Sequence, residues 1–325
     1  MGNSRWRMVW VVVFAFVVLS CGGGGGGGSA PTTLTPATIT PESLAQSAAM
    51  ALITGDLTDL NQTLSPLSSS GYQPLKADLA ARMIDIVMDE IFRQPHILKP
   101  AGSVSESDTC SNGGTISISA SWVGPDDDPV DCSEVTNLNA TMTFSSCTEG
   151  GLFADGTVRL RFTGNACEPT AIAMEFANLT LEESVENMQI SMNTFKMDIA
   201  GMVWSLGEVT RMTATFNGDV SAILGDEAFD MQFSNYRYGV QPSGSGGAYV
   251  VTVDGSLTGS CLDGWVTVST LEALVVPLSN GCPVSGKLGI SGTGQGTVTF
   301  TSPGVQVDWD GQITDYPTCD DLPGC

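Results

Sequence analysis

The chain has 325 residues and a formal net charge of −23, with 12 Lys and Arg against 35 Asp and Glu. So acidic a surface repels nucleic acid and anionic lipid headgroups, which excludes both as direct partners. Charged residues make up only 14% of the chain. Together with the many Ser, Thr, Gly and Asn residues, this indicates a β-rich surface rather than a helical one.

The first 20 residues have the layout of an export signal. Arg5 and Arg7 precede an unbroken apolar run, residues 8–19, and Ser20 provides a small residue before a cleavage point. A helix that crosses a bilayer needs about twenty apolar residues, so this run is too short for a permanent anchor, which is the alternative interpretation.

The cysteine that follows gives this region a family resemblance. Residues 18–21 read Val-Leu-Ser-Cys, which resembles the lipobox of bacterial lipoproteins. The resemblance implies that residues 1–20 are removed and that Cys21 is acylated and attaches the chain to a membrane. In that family an aspartate after the cysteine retains the protein in the inner membrane. Gly22 stands there instead, which implies the outer membrane, on its periplasmic face or at the cell surface.

Residues 21–39 form the predicted tether. Seven glycines at 22–28 are followed by SAPTTLTPATIT, which has no apolar periodicity. Glycine-rich chain behaves as a flexible coil, and this length spans roughly 20 to 25 Å, enough to hold a folded body away from the headgroups.

Residues 40–105 are predicted to form a helical segment. Thr40 is a suitable N-cap, Pro41 suits the first helical position, and apolar residues recur every fourth position until Gly55. A second amphipathic pattern covers residues 74–94 and ends at Pro95. We expect both helices to pack on a larger body.

Residues 106–325 are predicted to form a disulfide-stabilised antiparallel β domain. Segments such as TVRLRF, AIAMEF and YVVTV alternate apolar and polar residues, as half-buried strands do. Between the strands we expect tight turns at five Asp-Gly or Asn-Gly dipeptides, beginning at 155, 217, 254, 263 and 310. The fold class is therefore mainly β, an antiparallel meander of about ten to fourteen strands. The meander is expected to form a curved sheet, a partial barrel or a sandwich, preceded by two amphipathic helices.

Eight further cysteines predict four disulfides, because an even set in an exported chain favours cystines. They are Cys110, Cys132, Cys147, Cys167, Cys261, Cys282, Cys319 and Cys325. Four pairs allow 105 connectivities. The first three sequential pairs have near-equal gaps of about twenty residues, which favours pairing between sequential neighbours. The predicted pairs are 110 with 132, 147 with 167, 261 with 282, and 319 with 325.

No catalytic constellation is predicted. Residues 281–287, GCPVSGK, have the spacing of a phosphate-binding loop, but Leu288 replaces the required Ser or Thr and the context is strands. The only histidine is His96, and there is no CxxC pair for a metal. We therefore expect a non-enzymatic protein without a cofactor.

Two acidic loops suggest a weak calcium site as the alternative to solvated turns. Alternate carboxylates are typical of calcium loops, although neither loop has the distal glutamate of an EF-hand. The candidate ligands are Asp126, Asp127, Asp128, Asp308 and Asp310.

Methionines and aromatic residues are dense in the middle of the β domain. Methionine adapts to irregular apolar shapes, so a concave sheet with these residues could bind a hydrophobic ligand, whereas ordinary core packing is the competing interpretation. The candidate residues are Met174, Phe176, Met188, Met192, Met212, Phe216 and Met231. Copper(I) binding by the thioethers is a more remote alternative.

Two functions remain. The first is a lipid-anchored structural or interaction module that binds another envelope protein or a surface polymer. The second is a carrier of hydrophobic small molecules, similar in outline to the half-barrels with helical lids that transport lipoproteins in the periplasm. That similarity implies only a fold, because no motif is shared.

Overall fold

The computed structural model describes eleven ranges of the chain. These are residues 35–53, 103–124, 135–149, 151–166, 168–183, 188–205, 208–224, 227–244, 247–277, 282–302 and 304–323. The signal, Cys21, most of the tether and the predicted second helix lie outside them.

The fold is mainly β, which confirms the predicted class. Fourteen strands follow one another in the sheet in chain order, and the ladders from the first to the sixth and from the eighth to the last are antiparallel. The strands are β1 (Ser103–Thr109), β2 (Thr115–Val123), β3 (Thr136–Glu149), β4 (Leu152–Gly164), β5 (Pro169–Glu183), β6 (Met188–Ser205), β7 (Glu208–Leu224), β8 (Glu227–Pro242), β9 (Ala248–Gly259), β10 (Val266–Pro277), β11 (Ser285–Ser291), β12 (Gln295–Thr301), β13 (Val305–Trp309) and β14 (Gln312–Tyr316). Short connections explain this order, because a parallel crossover needs a dozen or more residues.

The chain divides into two compact units. Unit 1 contains β1 to β6 and the beginning of β7 as far as Met212, together with residues 222–224. Unit 2 contains residues 35–53, the β7 residues 213–221, and β8 to β14. The predicted β domain, residues 106–325, therefore includes strands of both units.

The alternating pattern produces one buried face and one exposed face in each strand. β2 alternates without interruption, with Ile116, Ile118, Ala120 and Trp122 buried and their neighbours exposed. Burying a large apolar side chain contributes about 1.5 to 3 kcal/mol, so this repeated alternation fixes which face of each strand is internal.

One α-helix occurs in the described residues, α1 (Pro41–Ile53). Thr40 caps it as predicted, because its Oγ1 accepts a hydrogen bond from the Ser43 amide at 3.1 Å. The helix is more buried than an amphipathic pattern predicts, since Leu44, Ala45, Ser47 and Ala48 are all 0% exposed. Ser47 is accommodated because its hydroxyl donates to the Ser43 carbonyl oxygen at 2.6 Å.

Three of the five dipeptides predicted to form turns lie inside strands instead. They are Asp155-Gly156 in β4, Asn217-Gly218 in β7 and Asp254-Gly255 in β9. In each, a side-chain oxygen of the Asp or Asn accepts a backbone hydrogen bond from a nearby strand, at distances of 2.8 to 3.0 Å. Gly156, with a φ of 120°, faces a shift in the β4–β5 register. Positive φ here serves β-bulges rather than chain reversals.

The predicted sequential disulfides are wrong. Cys110 pairs with Cys147, not Cys132, and Cys282 pairs with Cys319, not Cys261, with Cα–Cα distances of 5.5 and 6.0 Å. These two bonds also exclude the predicted pairs 147 with 167 and 319 with 325.

The geometry of a meander explains the error. Consecutive connections alternate between the two ends of a sheet, and the nine residues of β2 separate such ends by roughly 30 Å. Cysteines on either side of one strand therefore lie too far apart to pair. In both observed pairs the partners are 37 residues apart. The chain passes along an even number of strands between them, so both partners of a pair are at the same end of the sheet.

Candidate functional site

Residues 35–40, which include the last five residues of the predicted tether, belong to unit 2 and are hydrogen-bonded to two connections. The Ala37 amide donates to the Trp265 carbonyl at 2.8 Å, and the Trp265 amide donates to Thr35 at 2.8 Å. The Thr293 amide donates to the Ala37 carbonyl at 2.8 Å. Ala37 is 0% exposed, so this segment is part of the body of unit 2.

Four glycines provide the surface on which residues 35–40 and α1 pack. A Cβ at Gly264 would lie 2.5 Å from the Thr35 carbonyl oxygen, and one at Gly292 would lie against the Ala37 carbonyl oxygen. One at Gly296 would meet Leu44, and one at Gly259 would lie 3.1 Å from the Met50 sulfur. Gly292 and Gly296 belong to the glycine cluster GTGQG, residues 292–296, which is thus a place of close approach.

Asp263 adds a charged hydrogen-bond acceptor to the contact between residues 35–40 and the β9–β10 connection. Its carboxylate accepts a hydrogen bond from the Thr38 amide at 2.8 Å. Hydrogen bonds from Thr38, from the hydroxyl first and then the backbone, lower the pKa of Asp263 below its ordinary value. The charged form therefore holds residues 35–40 in place.

The residues predicted to form one apolar ligand face divide between the two units. Unit 1 contains Met174, Phe176, Met188, Met192 and Met212, all buried with exposures of 1 to 4%. Unit 2 contains Phe216 and Met231. The prediction of one apolar ligand face stays a prediction, and the residues of each unit are described by themselves.

The unit 1 cluster spans β5 and β6. Met174 is directly opposite Met197, and Phe176 is opposite Phe195 with ring centroids 5.9 Å apart. Leu179 is opposite Met192 on the same ladder. These cross-strand pairs place polarizable sulfur and aromatic rings side by side on a buried face.

The unit 2 cluster is aromatic. Phe216 lies 6.0 Å from Phe233 and 6.3 Å from Tyr236, measured between ring centroids. Tyr236 is 0% exposed, whereas Met231 is 6% exposed. Tilted rings at these distances are typical of a packed aromatic core.

Trp122 has the one buried side-chain nitrogen or oxygen among the described residues that lacks a hydrogen-bond partner. The residue is 5% exposed and lies on the internal face of β2 in unit 1. A buried N–H group without an acceptor costs about 1 to 3 kcal/mol, so it requires an explanation. Sequence reasoning missed this residue, because burial of an indole N–H cannot be read from alternation.

Asp308 and Asp310 belong to the β13–β14 hairpin. One carboxylate oxygen of Asp308 accepts a hydrogen bond from the Gly311 amide at 3.2 Å, and Asp310 has a φ of 52°. Both features are typical of a tight turn. No group of three His, Cys, Asp or Glu side chains that could hold a metal occurs in the part of the chain that is described. Asp126, Asp127 and Asp128 lie outside that part, so calcium binding there stays a prediction.

A line of charges crosses the exposed face of unit 1. Glu175 lies between Arg159 and Lys196 on neighbouring strands, with O–N distances of 3.6 and 3.2 Å. The hydrogen bond from Lys196 is the main cause that lowers the pKa of Glu175, and the positive charges of both neighbours add to it. Such exposed pairs contribute little to stability, about 0 to 1 kcal/mol.

The phosphate-loop pattern at residues 281–287 has a structural role. Cys282 is in a disulfide and Lys287 lies within β11, whereas a phosphate-binding loop leads into a helix. This agrees with the interpretation that the pattern is coincidental.

The structure defines a class, a mainly β meander with an α-helix joined to its second unit. No protein-family model matches the chain, and no curated protein matches it. None of the described helices is long and apolar enough to span a bilayer.

Proposed function

We propose that this chain is a lipid-anchored protein of the bacterial outer membrane, exposed to an oxidising compartment, which acts as a structural or interaction module. The observation that carries the proposal is the pair of cystines, one in each unit. Disulfides persist in exported proteins and are rare in a reducing cytosol. The cystines therefore agree with export of the chain, whereas the proposed acylation rests on the lipobox-like sequence at residues 18–21.

The packing of residues 35–40 determines where the proposed tether leaves the folded body. A covalent tether holds that body in any case, and hydrogen bonds at its far end fix the point of departure. Three backbone hydrogen bonds and the buried helix α1 fix this end in unit 2. The tether would therefore hold unit 2 by the end that carries the β9–β10 and β11–β12 connections.

The anchor is tested by labelling cells with radioactive palmitate. We expect label in the wild-type chain and in Ser20→Ala, which keeps a small residue before the cysteine, and none in Cys21→Ala. A Cys21→Ala protein that stays in the membrane fraction would refute the anchor. Gly22→Asp is expected to move the protein to the inner membrane, and an unchanged distribution would contradict the outer-membrane assignment.

The second candidate function is a carrier of a hydrophobic molecule. The observation that favours it is the buried Trp122 N–H group, which has no acceptor among the described residues and lies in the unit that contains the methionine cluster. An apolar ligand with a carbonyl or carboxylate oxygen would satisfy this donor. Native mass spectrometry of the purified chain tests it. A lipid that is bound to the wild-type chain and absent from Trp122→Phe supports the carrier function. A wild-type chain that is folded and stable without any bound ligand opposes it.

A further inference from the structure

The last strand, β14, has one edge without a neighbouring strand in the described part of the chain. It pairs with β13 on one side and is the final strand in the sheet order, so no described strand lies on its other side. Its residues are largely exposed, and Ile313 is 57% exposed, a high value for an apolar side chain in a strand. After Tyr316 the chain turns away, because Cys319 is bonded to Cys282 at the β10–β11 connection.

The hairpin register shows which backbone groups face outward. Trp309 is opposite Gln312 across the two-residue connection, so these two residues exchange both backbone hydrogen bonds. The pattern alternates along an antiparallel pair, and Ile313 and Asp315 therefore direct their N–H and C=O groups away from β13. No partner for these backbone groups occurs among the described residues, so they offer a short template for another strand.

The charged residues of the β13–β14 hairpin and of the chain after it are all negative. Lys287 is the last cation of the chain, and five aspartates follow it: Asp308, Asp310, Asp315, Asp320 and Asp321. A short strand with an edge carboxylate disfavours pairing with a second copy of itself. The same carboxylates favour a cationic strand.

We propose that the β14 edge binds an extended segment of a partner protein by strand addition, with a Lys or Arg opposite Asp315 and an apolar residue opposite Ile313. Main-chain hydrogen bonds to Ile313 and Asp315 supply affinity, and the two side chains supply selectivity. This deepens the proposed interaction role, on which it rests for the kind of partner, but it does not depend on lipidation.

The test uses the purified full-length chain and the acetylated, amidated peptide Thr-Lys-Thr-Val-Thr-Lys-Thr, which reads the same in either strand direction. A matched peptide has Glu in place of both lysines. We expect the lysine peptide to slow hydrogen exchange at the Ile313 and Asp315 amides at least tenfold. The glutamate peptide should not slow exchange at a concentration of roughly 1 mM, which is about the largest dissociation constant that would still count as strand addition.

Three variants sharpen the result. Asp315→Asn should weaken the lysine peptide about fivefold, the factor that corresponds to a surface ion pair of about 1 kcal/mol. Asp198→Asn, which removes the same charge from an exposed position on β6, should leave affinity unchanged. Ile313→Pro removes an outward N–H and should abolish binding, with circular dichroism to confirm folding.

Four outcomes would overturn the proposal: equal binding of both peptides, protection elsewhere in the chain, no protection at all, or a dimer that Ile313→Pro dissociates. The dimer would assign the edge to a second copy. Absence of palmitate label with peptide binding intact would remove the proposed location and leave the edge site standing.

Discussion

Replacing Leu44 and Gly296, singly and together, tests how α1 packs on β12. Leu44 is 0% exposed, and a Cβ added to Gly296 would meet its Cδ1, with Cδ2 at 3.1 Å. Leu44→Ala leaves a cavity and should cost about 3 to 5 kcal/mol of unfolding free energy. Gly296→Ala overfills the contact and should cost about 1 to 3 kcal/mol.

The double variant Leu44→Ala with Gly296→Ala tests whether the two positions are in contact. Ala at position 44 no longer reaches the new methyl group, so the two costs should not add. We expect the double variant to be at least about 1 kcal/mol more stable than the sum of the single effects predicts. Some strain remains, because the new Cβ also lies 2.8 Å from the Asp308 carbonyl oxygen.

Equilibrium urea unfolding followed by both fluorescence and circular dichroism measures these free energies. The matched control combines Leu44→Ala with Gly294→Ala, because a Cβ there lies within 4 Å of Ile39 alone, at 3.5 Å. Those two costs should add. Additive costs for Leu44 and Gly296 as well would refute the described contact.

Three other predictions concern the disulfide, the charged line and a bulge. Replacing both Cys282 and Cys319 by Ser should lower the unfolding free energy by about 4 kcal/mol, because the bond joins residues 37 apart. Urea unfolding measures this, and an equally stable variant would contradict it. Lys196→Ala should raise the pKa of Glu175. In the wild type this pKa is lowered from 4.5, so the ionised carboxylate stabilises the fold above pH 4.5, and the stabilisation is lost as the pH falls through the lowered pKa. An NMR titration of the Glu175 carboxyl decides this, and an unmoved pKa counts against the ion pair. Gly156→Ala should lower Tm, because the new Cβ would lie against the Asn178 backbone. A thermal scan that shows no shift would argue against this bulge geometry.

Much of the fold follows from local rules, which is why alternation predicted the strands. The side-chain period of two is imposed by each strand alone, and the core then selects the buried face. The cap at Thr40 is equally local, since it needs only residues 40–43.

Features that depend on distant residues were harder to predict. Near-equal spacing favoured Cys261 with Cys282, but β10 separates them and pairing skips to Cys319. Asp254-Gly255 has turn chemistry, yet the neighbouring strands turn it into a bulge, with the Asp254 carboxylate accepting from Thr270 at 3.0 Å. Local propensity does not reveal which strand will lie alongside.

The candidate sites show the same limit. Trp122 could be assigned to a buried face, but only the packed structure reveals that none of the described residues accepts a hydrogen bond from its N–H group. A glycine such as Gly292 has the local chemistry of a turn, but only the packed structure reveals that its lack of a side chain also makes room for Ala37 from the other end of the chain.

The position of α1 has a consequence for the order in which the molecule can assemble. The hydrogen bond from Thr38 to Asp263 joins residues 225 positions apart, and α1 packs on β10 to β13. A chain that emerges from its amino end releases this apolar helix long before the strands that cover it have been synthesised. We expect the nascent helix to need protection from aggregation during that interval, and a chain truncated before β12 to leave uncovered the part of α1 that packs on β12 and β13.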